Sequence, residues 1–416
     1  MNMYLIIVVL ALVGHYLINN VSDWLNLRHL RPSPPKELAD LYDSERYAKS
    51  QMYLRDNTRF NQVHSSTSLA VILALILFGI FDTIDQWARA PGYGPILTGI
   101  IFICILVLGS LLLDLPFSAY NTFVIEERYG FNRTTPKIFV LDFVKSLILS
   151  VLIGAPILAA ILWFFGVAGD MAWIYCWAAL TIIQIFLLFI APVLIMPLFN
   201  KFEPMPEGEL RDAIEKYAAE QDFKLKGVYT MDGSKRSSKS NAFFTGFGRF
   251  RRIVLFDTLI DNHTTEELVS ILAHEMGHYK KKHILMAILR SIATLGVTFY
   301  LLSLFMKNPN LFEAFGMTKE PTIYASLVFF GFLYIPVQYL LSLVENYISR
   351  RQEYQSDRYA VVTYGNPPAF IAALKKLSAD NLSNLTPHPV KVFLEYSHPP
   401  VLARIDAIRK ITEDEA

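Results

Sequence analysis

Seven apolar runs, each of about 20 residues, decide what this chain can fold into. Runs of that length cross a ~30 Å hydrocarbon core as helices, because a helix satisfies every backbone group within its own segment. They cover residues 3–18, 66–81, 95–115, 146–167, 171–195, 284–306 and 323–344. Composition agrees. The chain is 53% hydrophobic and 18% charged, against about 25% charged in soluble globular domains. The first run has no lysine or arginine ahead of Arg28 and no small-x-small cleavage site, so it reads as an uncleaved anchor rather than a signal peptide.

Lysine and arginine mark the cytoplasmic side of short loops. The loop after the first run is rich in them (Arg28, Arg31, Lys36, Arg46, Lys49, Arg55, Arg59), the second has Arg89 alone, and the third has Arg128, Arg133, Lys137 and Lys145. The fourth has none. The alternation predicts an outside amino terminus and an inside carboxyl terminus. The net charge of +1 indicates no partner. Cys104 and Cys176 both fall inside spans and give no disulfide framework. The glycosylation-like triplet at Asn132 lies in a loop placed inside, where it is a chance match.

The expected division is then residues 1–199 for spans one to five with a cytoplasmic first loop, and 200–283 for a cytoplasmic catalytic segment. Residues 284–344 hold spans six and seven, and 345–416 form a cytoplasmic C-terminal catalytic segment. In the second unit, 209–221 has helical spacing, and 227–231, 241–245 and 253–256 are short β-like runs that suggest a small antiparallel sheet. Thr264 and Glu267 form a capping box at the start of a helix.

That helix carries H-E-M-G-H at 274–278. His274 and His278, four apart, share a helix face and can grip one ion together. Glu275 lies about 100° round, within reach of a metal-bound water without being a ligand. Two imidazoles, a third protein ligand and an open position for water describe a catalytic zinc site. A chance match in a surface helix is the competing reading, and the capped helix and flanking sheet weigh against it. His283, five residues beyond His278 and next to Lys280, Lys281 and Lys282, is expected at the membrane interface. The third ligand belongs to 345–360, where Glu345, Glu353 and Asp357 compete. Glu353 emerges about 12 Å beyond Glu345 at ~1.5 Å per residue, a better match to the depth of the histidines.

HEMGH (274–278), SRRQEYQSD (349–357), SNAFFTGFG (240–248) and SHPPVLARI (397–405) occur together in this order, with YNTFVIEERYGFNRTT (120–135) and PLFNKFEP (197–204) before them. The chain resembles, over nearly its whole length, the integral-membrane zinc metalloproteases of the type I CAAX prenyl protease family. The resemblance implies about seven transmembrane helices around a water-filled chamber, with a zincin-like cytoplasmic catalytic region carrying a small β-sheet. It implies one Zn2+ per chain held by His274, His278 and Glu353, with Glu275 activating water and Asp357 supporting catalysis as a neighbour of the ligands. Asn241, Ala242 and Phe243 would meet an extended substrate, and His398 and Arg404 would lie near it. Ser356 departs from the alanine usual before the aspartate. A chamber would also explain Asp114, Gln184 and Arg290 in or near spans, although snorkelling suits Arg290 equally well.

The function so implied is cleavage near the C-terminus of CAAX-type, prenylated substrates. A quality-control membrane protease without a prenyl requirement is the alternative, and a non-catalytic scaffold or transporter is the alternative of another class. The intact Glu275 and ligand set count against the last. Expected partners are a peptide or protein substrate, with isoprenylation left open, and the lipid bilayer, with no nucleic acid. The expected location is a multi-pass membrane, the inner membrane of a bacterium or the endoplasmic reticulum of a eukaryote.

Overall fold

The computed structural model describes residues 2–245 and 252–415. Helices α1 (Met3–Arg28) and α2 (Ser44–Leu77) come first, followed by a short α3 (Ile80–Arg89) after Gly79, whose φ of +65° ends α2. Next are α4 (Pro95–Tyr120), α5 (Pro136–Val167) and α6 (Ala172–Ile190). Strand β1 (Phe202–Pro204), helix α7 (Glu209–Glu220) and strands β2 (Gly227–Met231), β3 (Ala242–Thr245) and β4 (Arg252–Phe256) follow. The chain continues through α8 (Asp257–Asn262), α9 (Thr265–Lys280), α10 (His283–Phe305), α11 (Pro309–Ala314) and α12 (Ile323–Tyr364). It closes with α13 (Pro367–Asp380), α14 (Pro389–Glu395) and α15 (Val401–Glu415).

Among the described residues, 7 helices are long and apolar enough to cross a membrane, one at each run read from the sequence. Several outrun the bilayer. A span needs about 20 residues, whereas α2 has 34 and α12 has 42. The surplus of α12 projects polar residues beyond the apolar run, which is how a membrane helix comes to serve the site. The spans bury only 0–17% of their most apolar windows within the protein, which fits a ring of helices around an open interior. Three polar side chains in or near the spans find partners on neighbouring helices. His64 meets Asp114 at 2.8 Å, Gln184 donates to Ser291 at 2.9 Å, and Arg290 donates to Glu345 at 2.9 Å. Arg290 is therefore paired.

The sheet is mixed, in the order β1-β2-β4-β3, and corrects the antiparallel expectation. β1 and β2 are antiparallel, β2 runs parallel to β4, and β3 pairs antiparallel with β4, Ala242 opposite Leu255. The reason is topological: β3 and β4 form the antiparallel pair, so β4 returns beside β2 in β2's own direction. β3 is left on the outside. Beneath the sheet, Ile214, Leu255, Leu268, Leu272, Met276 and Phe370 form one buried core that fixes α9 between α7 and α13.

Candidate metal centre

α9 begins at Thr264, whose hydroxyl accepts from Glu267 N–H while the Glu267 carboxylate accepts from Thr264 N–H. This reciprocal cap sets the start of the helix and therefore the height of His274 and His278. α9 packs lengthwise on the projecting half of α12. His278 Nε2 lies 3.2 Å from His274 Nε2 and 3.2 Å from Glu353 Oε1, and His274 Nε2 lies 3.5 Å from Glu353 Oε2. These three side chains can present one ligand atom each, all within 4.8 Å of one another. Glu353 is 3% exposed, and its Oε2 is buried without a hydrogen-bond partner among the described residues. A buried carboxylate needs a compensating cation or hydrogen bonds. Arg404 Nη1, 3.5 Å from Oε2, supplies part of that compensation, and two imidazole nitrogens and a carboxylate converging on one point are a donor set that suits a metal ion. Glu345 is turned away onto Arg290.

Behind the cluster, His274 Nδ1 meets Asp357 Oδ1 at 2.7 Å. Asp357 is fully buried and accepts two hydrogen bonds from Arg404, at 2.9 and 2.6 Å. Burial and Arg404 both oppose a charged His274, but the Asp357 and Glu353 carboxylates outweigh them and raise its pKa to about 9. Glu275 is half-buried and makes no hydrogen bond or ion pair with a described residue. It lines a cleft of about 480 Å³ together with His274, His278, Glu353, His398 and Arg404. Asn241, Ala242 and Phe243 line the same cleft.

β3 is held at the cleft by its approaches. Asn381 clamps Ser240 through both the N–H, at 3.3 Å, and the carbonyl, at 3.5 Å. Lys239 donates to Glu126 at 2.7 Å and to Tyr53 at 2.8 Å, and Tyr53 also bonds Glu126. Arg236 grips Asp142 with two hydrogen bonds. The 120–135 motif thus braces the strand from the membrane side. Phe256 N–H donates to Asn241 O, so by antiparallel alternation Phe243 turns its backbone groups to β4. Ala242 and Phe244 turn theirs to the edge that no other described strand pairs with. Ala242 N–H is met there by the side chain of Asn241 at 2.9 Å.

Comparison with known proteins decides the family. Residues 23–201 match "CAAX prenyl protease N-terminal, five membrane helices", and residues 204–412 match "Peptidase family M48". The chain belongs to the M48 peptidases. This M48 peptidase is 38% identical to a CAAX prenyl protease 1 homolog of Arabidopsis thaliana, over 96% of each chain. It is 36% identical to a homolog of Oryza sativa subsp. japonica, over 97% of each. A crystal structure of S. mikatae Ste24p superposes with a TM-score of 0.92 at 33% identity, covering 98% of this chain and 99% of that one. It is accordingly an integral multi-pass membrane metallopeptidase acting on peptide or protein.

Sequence reasoning misplaced one residue of this peptidase and missed three. His283, expected as a membrane-interface residue, is turned into the protein at the first residue of α10: it is 3% exposed and lies 3.2 Å from His278, nitrogen to nitrogen. Lys282 takes a left-handed φ of +60°, which ends α9, starts α10 and swings His283 back beneath His278. Side-chain spacing along one unbroken helix gives no warning of that. Gln355, bonded to His283 at 2.9 Å, went unnoticed with it. So did Asn381 and Gly277. A Cβ on Gly277 would stand 2.9 Å from Ser356 Cα and 3.1 Å from Ser356 O, so only glycine lets α9 approach α12 this closely. Ser356 is fully buried, and its hydroxyl has no hydrogen-bond partner among the described residues. Overpacking costs about 1–3 kcal/mol. Gly277→Ala should therefore lower the melting temperature and weaken metal binding together, since the histidines and Glu353 sit on the two helices forced apart. A titration showing unchanged metal affinity in Gly277→Ala would contradict this packing.

Proposed function

We propose that this chain is a zinc-dependent endopeptidase, with one Zn2+ per chain, that cleaves near the C-terminus of CAAX-type, isoprenylated substrates. One observation carries the reading. The cluster of His274, His278 and Glu353 shares a single cleft with the outer strand β3, so an extended peptide lying along that strand passes the three donors. The names of the relatives support the substrate class. Ile284, in the first turn of α10, also lines the cleft. The cleft therefore opens at the membrane end of the spans, where a lipidated C-terminus would arrive. The basic loops favour a cytoplasmic site.

His274, His278 and Glu353 would hold the zinc, which when bound supplies a Lewis acid for the scissile carbonyl and acidifies water. Glu275 takes the proton from the attacking water and returns it to the leaving amine, the work of a general base and then acid. Asp357 holds His274 by its Nδ1–H, and Arg404 holds Asp357. Arg404, expected at the substrate, is thereby assigned to positioning. The His398 side chain is 65% exposed, with Nε2 3.5 Å from Glu353 Oε1, at the cleft mouth. There it can donate to the carbonyl oxygen as charge builds on it. β3 pairs with the peptide backbone through Ala242 and Phe244, while Asn241 and Phe243, whose backbone groups are taken by β4, flank the peptide in the cleft.

Ala242→Pro removes one edge N–H and leaves the bonds to β4 in place. It should raise KM roughly five-fold, the equivalent of about 1 kcal/mol for one hydrogen bond, with zinc content unchanged. A normal KM would place the peptide elsewhere. The substrate class is tested by assaying the purified protein on matched farnesylated and unmodified C-terminal peptides. Selective cleavage of the farnesylated peptide is expected, and equal cleavage would favour a quality-control protease without a prenyl requirement.

A further inference from the structure

His278 can serve a metal only through Nε2, the nitrogen facing Glu353 at 3.2 Å. In a neutral imidazole one nitrogen carries the proton and the other the lone pair. The lone pair is at Nε2 only if the proton is at Nδ1. That proton needs an acceptor, and what His278 Nδ1 meets is another imidazole, His283 Nδ1 at 3.2 Å. His283 must then accept at Nδ1 and carry its own proton at Nε2. A second acceptor is needed beyond it, and Gln355 presents Oε1 to His283 Nε2 at 2.9 Å. Every donor in this chain points outward, from His278 through His283 to Gln355. With the order reversed, His283 would donate to His278, which would keep its proton on Nε2 and turn it toward Glu353, closing the position to a metal. His274 meets the same requirement more simply, because Asp357 Oδ1 at 2.7 Å can only accept.

The geometry is held rather than incidental. The left-handed turn at Lys282 aims His283 back at α9, and the two rings meet edge to face with centroids 5.2 Å apart. Gln355 follows Glu353 by two residues on α12, so the helix that brings the carboxylate also brings the terminal acceptor.

We propose that His283 and Gln355 are positioning residues that hold His278 in the one tautomer able to bind metal. This rests on the reading of His274, His278 and Glu353 as the zinc site. Outer partners of ligand histidines typically affect metal affinity or activity roughly 10–100-fold.

The test measures zinc affinity of the full-length protein by competition with a chelator, alongside melting temperature. His283→Phe keeps a ring in the buried slot and offers no acceptor. It should bind zinc roughly 10–100-fold more weakly. His283→Asn fills the slot less well but offers a carbonyl to His278 Nδ1–H, and it should recover most of that affinity. A purely packing role predicts the opposite order, with Phe the better replacement, and that order would overturn the proposal. Gln355 is exposed, so water can partly replace it. Gln355→Leu should lose affinity several-fold without a change in melting temperature, and an unchanged affinity would remove Gln355 from the chain of donors. If the unsubstituted protein binds no zinc, the metal site itself fails and the relay with it. If it binds zinc and all three variants match it, only the relay fails.

Discussion

Glu353→Ala is expected to leave the purified protein without stoichiometric zinc and without peptidase activity, while Asp357→Ala keeps zinc more weakly and turns over slowly. The two carboxylates sit one turn apart on α12 but face different atoms. Glu353 faces both Nε2 atoms and has an oxygen with no hydrogen-bond partner among the described residues. Without it, two histidines face Arg404, whose Nη1 lies 3.5 Å from where the carboxylate was. That is a poor place for a cation. Among the described residues, the polar partners of the Asp357 carboxylate are the far side of His274 and the Arg404 guanidinium. Its loss leaves the metal donors in place and frees Arg404 to compete for Glu353, consistent with a roughly 10–100-fold weakening. Asp357→Asn keeps an acceptor for His274 and separates loss of the site from loss of the fold. Zinc content and rate are measured for each variant, and full zinc in Glu353→Ala would sink the ligand assignment.

The sequence made visible what depends on local pattern. Apolar length located the seven spans, the Thr264–Glu267 capping box fixed the start of α9, and i, i+4 spacing paired His274 with His278. Hydropathy could not show how far α12 runs past the bilayer, because it registers only the apolar part of a helix. β1 is three residues containing glutamate and proline, too short and too polar to stand out. The parallel pairing of β2 with β4 depends on a crossover of the chain rather than on either strand's residues. His283 was misread because a single residue, Lys282, leaves the helical region. The close approach at Gly277 was hidden for another reason: it becomes a constraint only once α12 lies against it.

Glu275→Gln tests the central claim, that a carboxylate beside a metal cluster drives peptide hydrolysis in this cleft. Glu275 follows His274 on α9 and lines the cleft. It makes no hydrogen bond or ion pair with a described residue, so its replacement by an amide of the same shape disturbs no contact and no ligand. What it removes is the ability to take a proton, which general-base catalysis values at roughly 10²–10⁴ in rate. The measurement is zinc content, melting temperature and kcat on one C-terminal peptide, made on the same preparation of Glu275→Gln. Stoichiometric zinc, an unchanged melting temperature and a kcat at least about 100-fold lower are expected. Full activity in that variant, or loss of its zinc, would contradict the claim.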